Sequence, residues 1–332
     1  MVDEAPTDPV SPAASGDRSR SASTRQAPPA SSPDAPLDWV AERADWPHAD
    51  ASRFVDAGSL RWHVQVLGEG PPILLVHGTG ASTHSWRDLA PLLAGRFTVV
   101  MPDLPGHGFT ARDPRRAPSL PFMADALAAL AEAMELRPRA VIGHSAGAAI
   151  AIRCALDGTL APESILGINA ALLPFRGSAG VLFPPLAKLL FLNPLTPRLF
   201  ARSAANRQRV ARLIRNTGSA IGPDGIELYA RLFSRSAHVA ATLGMMANWD
   251  LHRFKRDLPS LDRPLTLIVG DNDRAVPASD AQTVRQMLPD TAVVHLPGLG
   301  HLAHEEDPTV VAAALMERIP AVPSDERTPE GS

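Results

Sequence analysis

Residues 140–156 read AVIGHSAGAAIAIRCAL: a short apolar run suited to a buried strand, then Gly143-His144-Ser145-Ala146-Gly147, then small and aliphatic residues of helical character. A strand that turns at once into a helix places the middle residue of the turn at the carboxyl edge of a sheet. Flanking glycines remove the Cβ atoms that would block so tight a turn, and the serine hydroxyl is lifted clear of the strands. The pentapeptide alone is a weak signal. Its setting, strand before and helix after, makes Ser145 the candidate nucleophile.

Working outward, apolar runs rich in Val, Ile and Leu recur at 61–67, 73–77, 97–103, 140–143, 165–169, 265–270 and 292–296. Segments of helical period lie between them, most clearly at 85–93, 120–135, 146–156 and 309–319, the last preceded by the helix-opening Pro308. This alternation predicts an α/β fold with a mostly parallel sheet flanked by helices. From 173 to 257 the alternation stops, and helices are expected around Leu186, Phe200, Leu228 and Val239. A helical insertion between two strands of one sheet reads as a cap. The core is therefore expected at 38–172 and 258–320, with the cap at 173–257.

The chain has 332 residues, a hydrophobic fraction of 45%, 20% charged residues and a formal net charge of -3. That balance fits a globular protein and supplies no basic footprint for nucleic acid, which is excluded as a partner class. Residues 1–37 are rich in Pro, Ser, Ala and charge and are expected to be a disordered extension; 321–332 reads as a C-terminal tail. The single cysteine, Cys154, cannot close an intramolecular disulfide and fits a reducing, cytoplasmic setting. No uninterrupted apolar stretch is long enough to span a bilayer. The nearest, VLFPPLAKLLFL at 181–192, is broken by Pro184, Pro185 and Lys188, although it is suited to lie on a membrane surface.

A serine nucleophile needs a base, and the base needs an acid that fixes its tautomer. Both candidates follow strands. Asp273 stands just past 265–270, and its setting Gly270-Asp271-Asn272-Asp273-Arg274-Ala275-Val276-Pro277 favours it over Asp271, which reads as a turn residue. His301 follows 292–296 and is favoured over His304, whose neighbours Glu305, Glu306, Asp307 and Pro308 mark the start of the final helix. The order Ser, Asp, His is the one this architecture uses. Backbone N–H groups of Ala146 and of Thr79, in His77-Gly78-Thr79-Gly80, are the expected oxyanion hole. No phosphate-binding loop and no zinc-like histidine spacing occurs, so neither metal nor cofactor is expected.

Together His77-Gly78, Asp103-Leu104-Pro105-Gly106-His107-Gly108, the Ser145 elbow, Asp273 and Gly300-His301 resemble the α/β-hydrolase superfamily over 46–319. That resemblance implies the α/β-hydrolase fold with its helical cap inserted after strand 6. Relatives with an aspartate nucleophile, the haloalkane dehalogenases and epoxide hydrolases, are set aside because position 145 is serine. More narrowly, HGTGASTHSWRDLAPLL, GHSAGAAIAIR, NAALLPF, LAKLLFLNPL, GMMANWDL and LPGLGHLAHEEDP resemble the magnesium-chelatase accessory hydrolases of bacteriochlorophyll biosynthesis. This likeness implies a lipophilic or tetrapyrrole-related substrate near the magnesium-insertion step. It equally admits a non-catalytic accessory that binds a tetrapyrrole or the magnesium chelatase subunits, with peripheral contact between the cap and the photosynthetic membrane.

Two further expectations concern the cap and the pocket beneath it. Trp86, Met245, Met246 and Trp249 are candidates to line a substrate pocket. On a helix beginning near Pro197, Arg198, Arg202, Arg209 and Arg212 would share one face, able to meet carboxylates or anionic headgroups.

Overall fold

The computed structural model describes Met1, residues 37–174, Asn193 and residues 195–320. The expected N-terminal extension, the helix expected around Leu186 and the tail at 321–332 lie outside the described residues. Leu37, counted with the extension on sequence grounds, is instead buried beside Trp46, Leu228 and Leu232.

Eight strands form one sheet: β1 (Ser52–Ala57), β2 (Leu60–Leu67), β3 (Pro72–Val76), β4 (Thr98–Pro102), β5 (Ala140–His144), β6 (Ser164–Ile168), β7 (Leu265–Gly270) and β8 (Ala292–Leu296), in spatial order β1-β2-β4-β3-β5-β6-β7-β8. The β1–β2 and β2–β4 pairs are antiparallel, and all others are parallel. Strands β5 and β6 are buried along their whole length, which explains their unbroken apolar sequence. Strand β1 was not expected. Its sequence SRFVDA alternates weakly because it is a partly exposed edge strand.

In register, His144 pairs with Ile168, Ile168 with Ile268, and Gly270 with Leu296. The carboxyl ends of β5 to β8 therefore reach one edge together. Everything that follows those four strands in sequence gathers there.

The helices are α1 (Trp39–Glu42), α2 (Ala90–Ala94), α3 (Leu120–Ala133), α4 (Ala146–Leu156), α5 (Leu195–Ala204), α6 (Arg207–Asn216), α7 (Pro223–Phe233), α8 (Ser236–Ala247), α9 (Leu251–Asp257), α10 (Ser279–Met287), α11 (Ala303–Glu306) and α12 (Pro308–Met316). Helices α3 and α4 bury Met123, Leu127, Ile150 and Ile152 against one face of the sheet. On the other face, Leu93, Val311 and Leu315 from α2 and α12 pack with Ile73, Leu75 and Ile142. The helix expected at 85–93 is instead a 3-10 turn, Thr83–Trp86, followed by α2. Pro91, which has no N–H to continue an earlier helix, falls in the first turn of α2.

Helices α5 to α9 all lie between β6 and β7 in the chain. The single arginine-bearing helix expected from Pro197 is two helices: the chain breaks at Ala205, and Asn206 caps α6 by accepting the Gln208 N–H at 2.9 Å. Arg198 and Arg202 belong to α5, whereas Arg209 and Arg212 belong to α6.

Two of the contacts that fasten the insertion to the rest of the fold lie at its middle and at its return to the sheet. Buried Glu305 on α11 accepts from Arg87 at 2.6 Å and from the Tyr229 hydroxyl of α7 at 2.8 Å. Helix α9 returns the chain to the core through Phe254, 2% exposed among the side chains of α3 and α4, and through Asp257, which accepts from Arg153 at 2.8 Å. A Phe254→Ala substitution leaves a cavity at this junction. Urea denaturation is expected to show a loss of about 3–5 kcal/mol, with secondary structure retained.

Candidate active site

Ser145 stands between β5 and α4 with φ 52° and ψ -117°. A non-glycine residue at positive φ is strained, on the order of 1–3 kcal/mol, and is kept only where its surroundings over-determine it. Here they do. The Ser145 N–H donates to the Ile168 carbonyl at 3.0 Å, and the Ser145 carbonyl accepts from Ala171 and Ala148. A Cβ on Gly147 would collide with the Val76 carbonyl oxygen, so α4 starts flush against the end of β3.

The loop after β3 passes equally close. A Cβ on Gly78 would lie 3.1 Å from the Ser145 Cβ. His77 fixes this loop: its Nε2 accepts the Leu104 N–H at 2.9 Å, so the proton sits on Nδ1 and is donated to the Gly78 carbonyl at 2.8 Å. Burial lowers the His77 pKa and keeps the ring neutral for that pair of roles. The Gly78 carbonyl also accepts from Ala81. In a trans peptide, holding that oxygen forces the Thr79 N–H to point the opposite way. The neighbouring Ala146 N–H opens α4, where the first amides of a helix lack intrahelical acceptors.

Asp273 and His301 meet. Asp273 Oδ1 accepts from the N–H groups of Ala275 and Val276 at 2.7 and 2.9 Å, which leaves Oδ2 for His301 Nδ1 at 2.8 Å. With its proton on Nδ1, the ring presents the Nε2 lone pair as a base. The residue before the nucleophile ties the base loop to the elbow: His144 Nε2 donates to the His301 carbonyl at 2.9 Å, and the two rings lie 4.9 Å apart. The rivals are occupied elsewhere. Asp271 pairs with His295 at 2.7 Å on the surface. His304 is fully buried between the Trp86 and His144 rings, where burial lowers its pKa to about 3.

Asn169, unmarked by any motif, holds the other loops in place. Left-handed at φ 45°, it follows β6 and donates to the carbonyls of Gly300 and His301 at 2.8 and 2.9 Å while accepting the Gly270 N–H at 2.7 Å. One side chain thus ties the acid-bearing and base-bearing loops. The helical insertion between β6 and β7 adds a second tie through residues 217–220. The Thr217 carbonyl accepts from Arg274, Ser219 Oγ accepts the Leu302 N–H at 2.8 Å, and Glu306 joins the N–H groups of Gly300 and Ala220.

The pocket candidates fare differently. Trp86 is not at an entrance; it is 0% exposed inside the core beneath His304. Met245 is buried, with its sulfur accepting the Thr79 hydroxyl at 3.4 Å, so it touches the oxyanion loop. Met246 and Trp249 are half-buried, and Trp249 packs against the α3–α4 core. Among the described residues no group of three or more His, Cys, Asp or Glu is arranged to hold a metal ion. Cys154 is buried, with its thiol pushed up to about 12, and offers no nucleophile.

The profile of the alpha/beta hydrolase family matches residues 73–314, and the chain belongs to that family. Its relatives include the "Magnesium-chelatase 30 kDa subunit" of Rhodobacter capsulatus, 43% identical over 264 residues that span 79% of this chain and 92% of the relative. The pyrrolizixenacetamide deacetylase of Xenorhabdus hominickii is 29% identical, covering 76% of this chain and 92% of its own. Among solved structures, an alpha/beta hydrolase fold protein from Burkholderia ambifaria superposes with a TM-score of 0.66 at 25% identity, covering 80% of this chain and all of the other.

Two outcomes follow from this geometry. Asn169→Ala strands the Gly300 carbonyl and the Gly270 amide in the interior, leaves the His301 carbonyl with His144 alone, and is expected to cost at least about 2 kcal/mol in urea denaturation. Acid should also destabilise the fold. Burial depresses the pKa of His77, His84, His107 and His144, and brings His238 to about 4 and His304 to about 3. The unfolded chain therefore binds more protons below about pH 6.5, and stability present above that value is lost as pH falls toward 4. Urea midpoints should drop steadily from pH 7 to pH 5; a flat profile contradicts the neutral, buried histidines.

Proposed function

We propose that the chain is a serine hydrolase whose triad is Ser145, His301 and Asp273. The observation that carries this reading is the 2.8 Å pair between His301 Nδ1 and Asp273 Oδ2, tied through His144 to the strained Ser145 elbow. His301 Nε2 takes the Ser145 hydroxyl proton as Oγ attacks an acyl carbon, and the carbonyl π bond becomes an oxyanion. The N–H groups of Thr79 and Ala146 receive that charge. As the intermediate collapses, the bond to the leaving group breaks and His301 returns the proton to it. Water, deprotonated by the same histidine, then cleaves the acyl-serine and restores the hydroxyl.

The likeness to the magnesium-chelatase subunit supports a lipophilic or tetrapyrrole-related ester as substrate, at or near the magnesium-insertion step of bacteriochlorophyll biosynthesis. Met245, against Thr79, is the pocket wall best supported by geometry, with Met246 and Trp249 further along the same part of the cap. The relative's name also favours a second reading, an accessory that associates with chelatase subunits without turnover.

A fluorophosphonate probe is expected to label the wild-type chain at Ser145 and to leave Ser145→Ala unlabelled; a folded wild type that resists the probe contradicts catalysis. Complementation of a deletion strain separates the two readings. Failure of Ser145→Ala to restore pigment supports turnover, whereas full restoration supports the accessory role.

A further inference from the structure

Residues 195–222 contain six arginines and no aspartate or glutamate, in a chain whose formal net charge is -3. They form α5 and α6, and these helices also hold four of the large apolar side chains most open to solvent: Leu195, Leu199, Phe200 and Leu213, at 57%, 61%, 38% and 41% exposed. Single exposed apolar residues are ordinary, but a cluster on neighbouring helices is not. The spacing sorts each helix into two sides. On α5 Leu195, Arg198, Leu199 and Arg202 face out while Pro197, Ala201 and Ala204 are buried; on α6 Arg209, Arg212 and Leu213 face out while Val210 and Ile214 are buried.

Of these, Arg209, Arg212 and Leu213, with the exposed Phe200, share a groove. The groove, of about 190 Å³, is lined by Phe200, Val210, Leu213 and Phe233 together with Arg209 and Arg212. Arg209 clips α6 to α5 by donating to Ser203 Oγ at 2.7 Å. An ordinary solvated helix face mixes charges, as α7 does where Glu227 lies 3.6 Å from Arg231 one turn on. The α5–α6 segment carries arginine alone, with Arg207 reaching out of it to Glu227.

We propose that the α5–α6 face docks onto a bilayer bearing anionic lipid headgroups. Arginines at the perimeter meet phosphate oxygens, while Leu199, Phe200 and Leu213 enter the acyl boundary. A soluble polyanion would satisfy the arginines and leave the apolar side chains in water. A neutral bilayer would do the reverse. Only a surface with both properties uses the whole face. Docking of this kind stands whether or not Ser145 is a nucleophile, and its test reads binding alone.

The full-length chain is sedimented with vesicles of phosphatidylcholine and with vesicles of phosphatidylcholine mixed with phosphatidylglycerol. It should pellet with the mixed vesicles, less so as salt is raised, and stay in solution with the neutral ones. Arg202→Glu combined with Arg212→Glu should weaken partitioning by roughly 25-fold or more. Leu199→Ser with Leu213→Ser should weaken it while preserving the salt dependence. Circular dichroism and urea midpoints check that both variants fold. The proposal is overturned if the wild type stays in solution with mixed vesicles, if it pellets equally with neutral ones, or if either folded variant partitions like the wild type.

Discussion

The start of α4 sits so close to the ends of β3 and β5 that no side chain fits between them. Gly147 rests on the Val76 carbonyl, and Gly78 rests on Ser145 and His144. That contact forces the strained backbone at Ser145 and sets the depth at which its hydroxyl emerges. It also brings the loop after β3, which carries Thr79, against the elbow. Sheet register does the rest. Because β5 and β6 end level, and β7 and β8 end together two residues further on, loops from four strands gather at one edge of the sheet.

Convergence alone would leave those loops mobile. Asn169 binds the backbone of the β7 and β8 loops, His144 binds the His301 carbonyl, and two amides hold Asp273 Oδ1. The helical insertion joins the same assembly, because residues 217–220 bond both to Arg274 beside Asp273 and to Leu302 beside His301. Glu305 and Glu306, adjacent in sequence, fasten α7 and the 217–220 segment respectively. The helical insertion and the loops that carry Asp273 and His301 therefore share their hydrogen bonds.

Much of this was readable from sequence because the relevant constraints are local. The elbow needs its glycines at fixed spacing, and strands buried on both faces need apolar runs, so Ser145 and the parallel sheet are written in consecutive residues. Asp273 and His301 stand just past such runs. What escaped depends on partners distant in the chain. Asn169 looks like any polar residue after a strand, since its three partners lie some 101 to 132 residues away. Trp86 reads as a pocket aromatic until α11 is seen to lay His304 over it. Strand β1 is an edge strand with little pattern, and the break between α5 and α6 depends on a single capping asparagine.

The chain belongs to the alpha/beta hydrolase family and is 43% identical to a protein named magnesium-chelatase 30 kDa subunit. Whether the geometry works as chemistry turns on Ser145, His301 and Asp273 acting as one unit. The most direct measurement is the rate of Ser145 phosphonylation in wild type, His301→Ala, Asp273→Ala and the double variant. A triad predicts that the double variant reacts no more slowly than His301→Ala alone, because Asp273 acts only through that ring. Losses that multiply in the double variant would show the two residues acting independently and would contradict the account.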